Sequence, residues 1–174
     1  MSWTDPRTWT TGELVTKAIM DAHVRDNFNF LYPNTPRTVI YKSADETVNN
    51  SSTLQNDDDL LFAVGANEVW AFICFIRQDS GTLPDFKHAW TVPTDAVMSR
   101  GIGHQYTDLA AQWLAHDDAT TPSASYGGKP ITTVGCVVVS TTAGNVQLQW
   151  AQNQADVSDT KCEKGSWLIA WRLM

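Results

Sequence analysis

The most obvious chemically active groups in this sequence are carboxylates, which form two short acidic runs. The run Asp57-Asp58-Asp59 offers the oxygen ligands that Ca²⁺ prefers, but it lacks the spaced ligands and the glycine of an EF-hand loop. It also lies between two segments with strand character. We therefore predict a solvated turn that keeps a sheet edge from pairing, and we predict the same for Asp117-Asp118. No metal site is predicted.

Groups suited to nucleophilic or acid–base catalysis are scattered along the chain. The histidines show neither an H-x-x-x-H spacing nor a cysteine at ligand spacing; they are His23, His88, His104 and His116. Two glycines within residues 101–106 have the spacing of a phosphate-binding loop, but the third glycine is missing, so a flexible loop is predicted there. No G-x-S-x-G motif occurs. We predict that the protein is not an enzyme and uses no cofactor.

Two polar loops that carry tyrosines favour a different chemistry, which is carbohydrate binding without catalysis. Tyr106 lies within residues 105–109 and Tyr126 within residues 123–129. An aromatic side chain with a polar tip can cover a sugar ring and bind its hydroxyls. The alternative is that both tyrosines only close loop ends. Glycoside hydrolysis would need two facing carboxylates as well, and no motif identifies such a pair.

Composition and charge limit the partners. The 174 residues are 43% hydrophobic and 18% charged, which is typical of one globular domain with an appended element. Because 12 Lys and Arg oppose 19 Asp and Glu, the net charge of -7 argues against nucleic acid and anionic membranes as partners. No apolar run reaches the roughly 18 residues of a membrane span, and no secretion signal is recognisable. We therefore expect a soluble protein made in a cytosol.

Cysteine and tryptophan contents add two expectations. Three cysteines, none at C-x-x-C spacing, argue against a disulfide framework and against zinc. Cys74 and Cys136 lie in apolar runs and are predicted to be buried, whereas Cys162 lies between Lys161 and Glu163 and is predicted to be exposed. Eight tryptophans are an excess for this length, and tryptophan is favoured at contacts between subunits.

The elements that would position these groups fall into two parts, residues 1–37 and residues 38–174. In the first part, Thr10-Thr11-Gly12-Glu13 fits a capping box, which predicts that a helix begins there. An apolar stripe follows, and Asp21 and Arg25 have the i, i+4 spacing of a stabilising ion pair. The stripe comprises Leu14, Val15, Ala18, Ile19, Ala22, Val24, Phe28 and Leu31. The prolines in residues 32–36 end the pattern.

The second part consists of short runs rich in Val, Ile, Thr, Trp and Phe that alternate with turn residues. This pattern predicts an antiparallel β sandwich or jelly roll. The fold class is therefore mostly β, with one N-terminal α-helix. Nine strands are predicted, over residues 38–42, 48–55, 60–64, 68–77, 86–92, 111–116, 131–141, 146–152 and 166–173. The glycine in residues 142–145 predicts a hairpin that pairs the strands on either side of it.

Two of the predicted strands are apolar on both faces. Phe75 shares one face of its strand with Val69, Ala71 and Ile73, while the opposite face is also apolar. Trp167 and Trp171 share a face of the last strand in the same way. One face of an antiparallel sandwich normally meets water. The second face is therefore covered by another subunit, by a long loop or by the N-terminal helix, and the sequence does not decide between these.

Two stretches resemble the start of small structural proteins of tailed bacteriophages. The first combines Trp9-Thr10-Thr11-Gly12-Glu13-Leu14-Val15-Thr16 with Asp21-Ala22-His23-Val24-Arg25-Asp26-Asn27-Phe28-Asn29. The second begins at Lys42 and includes the acidic run and Ala66-Asn67-Glu68-Val69-Trp70, where the β domain of such proteins starts. The resemblance implies a virion protein with a jelly-roll domain similar to trimeric tumour-necrosis-factor-like modules.

What the resemblance implies for function is a structural role in a tail, a fibre or a capsid decoration. The N-terminal segment would attach to other virion proteins, and the β domain would project as a homotrimer in a virion assembled in the host cytoplasm. The expected anchoring and interface residues are Trp3, Trp9, Thr10, Glu13, Val24, Phe28, Leu31, Phe75, Trp167 and Trp171. The alternative function is a carbohydrate-binding module that recognises a host-surface glycan through the loops of Tyr106 and Tyr126.

Overall fold

The chain divides into two compact units, Met1–Pro36 and Arg37–Met174. The structure is a computed structural model that describes residues 3–34, 37–81, 83–105, 111–116, 123–125, 128 and 130–174.

The first unit is an extended segment followed by one helix, α1. This helix is α-helical over Lys17–Met20, π-helical over Asp21–Arg25 and α-helical again over Asp26–Asn34. It begins later than the capping-box pattern predicted, because the N-cap is Thr16, whose Oγ1 accepts a hydrogen bond from the Ile19 amide at 3.3 Å. The predicted pairing of Asp21 with Arg25 is confirmed at 3.0 Å.

The residues of the predicted capping box form a turn instead of a helix start. The Glu13 amide donates to the Thr10 carbonyl at 3.1 Å, and the Thr10 amide donates to the Glu13 carboxylate at 3.3 Å. Gly12 has a φ of 82°, the value that the third residue of a type II turn requires. The carboxylate half of the box therefore forms, but the positive φ at Gly12 prevents a helix from continuing through it.

The second unit consists of β strands, which confirms the predicted fold class of a mostly antiparallel β protein with one N-terminal helix. Its strands are β1 (Arg37–Tyr41), β2 (Glu46–Val48), β3 (Gln55–Val64), β4 (Val69–Ile76), β5 (Gln78–Ser80), β6 (Phe86–Thr91), β7 (Val97–Gln105), β8 (Ala111–His116), β9 (Ser123–Ser125), β10 (Ile131–Val138), β11 (Gly144–Gln152), β12 (Thr160–Cys162) and β13 (Trp167–Arg172). A six-stranded sheet has the order β1-β13-β4-β10-β7-β8, and a four-stranded sheet has the order β3-β11-β6-β9. A small third sheet pairs β12 with β2 and β5.

The core lies between the two larger sheets and is rich in aromatic side chains. Phe62 of β3 contacts Phe72 of β4, with ring centroids 5.6 Å apart, and Phe72 contacts Trp90 of β6 at 4.8 Å. Trp150 of β11 stacks on Phe86 at 5.3 Å. Trp90, Trp150, Phe72 and Phe86 have no exposed surface. These rings are among the largest fully buried side chains between the two sheets.

Three sequence-based expectations about this unit are wrong. The strands beside residues 142–145 do not form a hairpin, since β10 pairs with β4 and β7 while β11 pairs with β3 and β6 in the other sheet. Residues 101–105 are not a loop but the end of β7, which its inward-facing Met98 and Ile102 hold against the core. The run Asp57-Asp58-Asp59 lies inside β3, and Asp57 is fully buried.

The cysteines also depart from expectation. Cys74 is buried, as predicted. Cys162 is buried as well, because β12 packs its side chain into the core, and this burial raises the pKa of its thiol. Cys136 is only half-buried, because it alternates with Gly135 and Val137 along β10 and lies on the face of the sheet opposite the core.

Candidate interaction surfaces

One candidate surface is the face of the six-stranded sheet that points away from the core, here called the outer sheet face. In antiparallel pairs, residues directly opposite each other place their side chains on the same face. The strand register sets Tyr41, Trp167 and Phe75 side by side across β1, β13 and β4. The next row places Val39, Ile169, Ile73 and Val134 together across four strands. Two further rows add Trp171, Ala71, Cys136, Val69, Val138 and Val97, and the face also carries two polar positions, Ser99 opposite Cys136 and Thr132 opposite Phe75.

This face is apolar and substantially open to solvent in the single chain. Val39, Tyr41 and Val97 are exposed by 59%, 64% and 63%, and Val134 and Val138 are exposed to a lesser degree. Phe75 and Trp167 are half-buried because their rings stack on each other, with centroids 5.9 Å apart and an interplanar angle of 19°. Monomeric proteins rarely expose a continuous apolar patch of this width.

The outer sheet face carries almost no charge. Among the described side chains, Arg37 projects at the edge of the sheet beside Trp171. Arg77 and Glu163 line a pocket with Phe75 at the margin of the face and pair with each other at 3.4 Å. The protein as a whole has a net charge of -7. In the described part of this face a second copy therefore meets the Glu163 carboxylate already paired with Arg77, although it would be repelled by the rest of the surface.

The second candidate surface is a cleft in the N-terminal unit, built by Asn27. The Asn27 side chain is buried and forms hydrogen bonds with both backbone polar groups of Thr4. It accepts from the Thr4 amide at 2.9 Å and donates to the Thr4 carbonyl at 2.9 Å. These two hydrogen bonds hold the extended segment against α1. The cleft lies between the segment and the helix.

The cleft has a volume of about 280 Å³ and is lined mainly by apolar side chains from the extended segment and from α1. The lining consists of Trp3, Pro6, Arg7, Trp9, His23, Val24, Asn27, Phe28 and Leu31. Five predicted anchoring residues thus come together here: Trp3, Trp9, Val24, Phe28 and Leu31. Phe28 remains 66% exposed.

Thr10 and Glu13 support the cleft from the turn rather than line it. Glu13 forms an ion pair with Arg7, and the Arg7 guanidinium lies over the Trp9 ring, 5.5 Å from its centroid. The helix side is ordered by Asp21, whose pKa is lowered by a hydrogen bond from Lys17 and by the charge of Arg25. The motif from Trp9 to Phe28 therefore contains residues that line the cleft and others that stabilise the structure around it.

The structure divides the described residues among those predicted between these two surfaces. Phe75, Trp167 and Trp171 lie on the outer sheet face, as the alternation in β4 and β13 predicted. Tyr106 and Tyr126, the residues of the proposed sugar-binding loops, lie outside the described residues. The carbohydrate-binding hypothesis therefore stays a prediction.

Sequence reasoning missed two features of the surfaces. One is the contribution of β1 and β10 to the outer sheet face; the alternation of Val134, Cys136 and Val138 with buried residues was the available signal. The other is the role of Asn27, which no local pattern indicates because its partner Thr4 is 23 residues away.

Neither metal binding nor membrane spanning is indicated by the part of the chain that the structure describes. Its His, Cys, Asp and Glu side chains form no group of three that could hold a metal ion. Its helix is too short and too polar to cross a bilayer. Compared with protein families and with curated proteins, the sequence matches none of them.

Proposed function

We propose that this chain is a structural protein of a tailed-bacteriophage particle, in a tail, in a fibre or as a capsid decoration, that assembles as a homotrimer through the outer sheet face. The observation that carries the assembly is the apolar surface that spans β1, β13, β4, β10 and β7. Burying such a surface contributes about 25 cal/mol per Å² of apolar area. Association is the direct way for the chain to gain that free energy.

The partner on this face is a copy of the same chain. The face offers matching apolar rows, and the described carboxylate at its margin, Glu163, is paired with Arg77, so two acidic copies can approach through it with little direct repulsion. Closed cyclic symmetry lets every copy bury the same residues. The threefold order itself comes from the resemblance of residues 9–29 to phage structural proteins with trimeric β domains.

The N-terminal unit is proposed to attach the trimer to other proteins of the virion. Its cleft gathers Trp3, Trp9 and Phe28 around an apolar space, and tryptophan and phenylalanine in such clefts are typical anchors for a partner's apolar side chains. The resemblance places this segment at the attachment end. The protein would thus reside in the virion after assembly in the host cytoplasm.

The assembly hypothesis is tested by placing a charge on the outer sheet face. Val39→Asp and Trp171→Asp are expected to reduce the particle mass from three chains of 19.3 kDa to one, because a carboxylate buried at the interface would be unpaired. Light scattering coupled to size-exclusion chromatography measures the mass. Val157→Asp is the matched control, since Val157 is 81% exposed and lies outside the face.

The expected results separate folding from assembly. Val39 is exposed in the single chain, so its replacement is expected to leave the far-ultraviolet circular dichroism and the fold unchanged. A wild-type protein with the mass of one chain would refute the assembly hypothesis. A trimer that persists in both face variants would assign the contact to another surface.

Attachment is tested separately in particles. Phe28→Asp is expected to abolish incorporation into virions, because it places a charge in the apolar cleft. Asn29→Asp adds the same charge at the next, exposed position and is expected to incorporate normally. Protein blots of purified particles measure incorporation, and equal amounts of both variants would contradict the role of the cleft.

A further inference from the structure

A buried ionic cluster joins the two larger sheets of the second unit. Lys42 directly follows β1 of the six-stranded sheet, and Asp57 belongs to β3 of the four-stranded sheet. Their side chains are exposed by 1% and 0%. Burying an ion pair this completely is costly, and such a pair is weak evidence for stability alone.

The geometry around the lysine amine is that of a reactive pair. Lys42 Nζ lies 3.1 Å from Oδ1 and 3.0 Å from Oδ2 of Asp57. Because both oxygens are about equally near, the nitrogen lies in the plane that bisects the carboxyl group, as in a bidentate ion pair, and is adjacent to the carbon between the oxygens. Glu46 Oε2 lies 2.9 Å from the same nitrogen, and Asp59 Oδ2 lies 3.4 Å from it.

The Asp57 carboxyl is held by donors that suit an acyl transfer. Its Oδ1 accepts from the Leu60 amide at 2.8 Å and from the Asp59 amide at 3.0 Å. Two backbone donors on one oxygen stabilise the negative charge that develops there when a nucleophile adds to the carbon. The other oxygen, Oδ2, accepts from Trp150 Nε1 at 3.2 Å.

Glu46 is placed to accept protons from the amine. Its Oε1 accepts from Gln55 Nε2 at 2.9 Å and its Oε2 from the Asp58 amide at 3.3 Å, which fixes the carboxylate beside Lys42. Burial raises the pKa of Glu46, which makes it a better proton acceptor. Burial by itself would lower the pKa of Lys42, but hydrogen bonds and charge from Glu46 and Asp57 outweigh it and raise that pKa. The amine therefore starts as an ammonium group, and a neighbouring base is required.

We propose that Lys42 and Asp57 condense to form an intramolecular isopeptide bond. A bond forms between Lys42 Nζ and Asp57 Cγ, and the bond from Cγ to Oδ2 breaks. The ammonium nitrogen loses two protons, which Glu46 relays to Oδ2, and that oxygen leaves as water. The amide that remains carries one N–H, and no other reactant is consumed.

Proximity and burial both favour this reaction. Groups held in contact react as if one were present at a very high effective concentration. The condensation also replaces two buried charges with a neutral amide, which removes their desolvation cost. Since the bond connects the end of β1 to β3, it would clamp the two sheets together, whatever the protein attaches to.

Intact-mass spectrometry of the folded full-length chain tests the proposal. The wild-type protein is expected to weigh one water molecule less than its sequence. A tryptic digest is expected to contain a branched peptide that joins Lys42 to Asp57. A folded wild-type protein with the full sequence mass would refute the proposal without any variant.

Three variants assign the lost water to this site. Lys42→Arg keeps the positive charge but is expected to have the full mass, while Lys161→Arg, a lysine on β12 outside the cluster, is expected to stay one water lighter. Glu46→Gln is expected to slow bond formation after refolding by about 10²-fold or more. Water loss that persists in Lys42→Arg would indicate a cyclised aspartate instead and would refute the proposal. An unchanged rate of bond formation in Glu46→Gln would refute the role of Glu46.

Discussion

The packing of Gly135 against Phe72 makes a sharp prediction about the core. Gly135 of β10 lies directly opposite Phe72 of β4. A Cβ atom at position 135 would lie 2.3 Å from Cε1 and 2.6 Å from Cζ of Phe72, much closer than van der Waals contact allows. Phe72 is fully buried and has Trp90 and Phe62 against its ring, so it has no space into which to move. Gly135→Ala must therefore strain the core.

The size of the effect follows from two opposing contributions. Overpacking a well-filled core costs about 1–3 kcal/mol. Alanine regains about 0.5–1 kcal/mol over glycine in a strand, because it restricts the unfolded chain. A contact of 2.3 Å with a ring that cannot move places the cost in the upper part of that range, at about 2–3 kcal/mol, so the net loss is about 1–2.5 kcal/mol. For a chain of this length each kcal/mol lowers the melting temperature by about 2–4 °C, so we expect a decrease of about 2–10 °C.

A double-mutant cycle measured by thermal unfolding at constant protein concentration tests the cause. Phe72→Leu removes the ring atoms that the new Cβ would meet, so Gly135→Ala is expected to be nearly harmless in that background. The coupling free energy should be at least about 0.5 kcal/mol. A melting temperature of Gly135→Ala at or above the wild-type value, or additive effects of the two substitutions, would refute the steric explanation.

Two further predictions concern the ion pair of Glu68 and the buried Asn27. Burial raises the pKa of Glu68, but its hydrogen bonds, the strongest of them from Arg172, lower the pKa by a larger amount. The pKa of Glu68 in the folded protein therefore lies below the usual range. The stability that this interaction contributes is present above the pKa of Glu68 in the unfolded chain and is lost as the pH falls through its pKa in the folded protein. Glu68→Gln should therefore flatten the dependence of the free energy of urea unfolding on pH below about pH 5. An unchanged slope of that dependence would contradict this. Asn27→Ala removes both hydrogen bonds to Thr4 and is expected to expose residues 3–16 to proteolysis. In the control Asn29→Ala, which changes an exposed side chain, these residues are expected to resist cleavage as they do in the wild-type protein. Equal cleavage of the two variants would remove Asn27 from its role.

Much of the outer sheet face could be predicted because strand faces depend on a local period. Side chains alternate every two residues, so Phe75 could be grouped with Ile73, and Trp171 with Trp167, from their own strands. That the two groups share one face follows from the pairing of β13 with β4. The helix of the first unit was predicted for the same reason, from its apolar stripe. Its start was wrong because Gly12, read as part of a cap, takes the positive φ of a turn.

The partners of each strand could not be predicted, because they depend on residues far apart in the sequence. β10 and β11 are joined by a short connection typical of a hairpin, yet they lie in different sheets, since β10 pairs with β4 and β7 on its two edges. Both of its edges are therefore occupied before β11 begins. A local turn pattern indicates that the chain changes direction, but it does not indicate which strand pairs with which edge of the sheet.

Sequence alone determined the division into a helical segment and a β domain, and the presence of strands with two apolar faces, because composition and short-range periodicity are properties of neighbouring residues. Tertiary structure decided which charges are buried. An acidic run reads as solvated surface until the fold brings Lys42 against Asp57, 15 residues further along the chain, and closes the core around the pair. The cost of burying a charge depends on that partner, and only the folded chain supplies it.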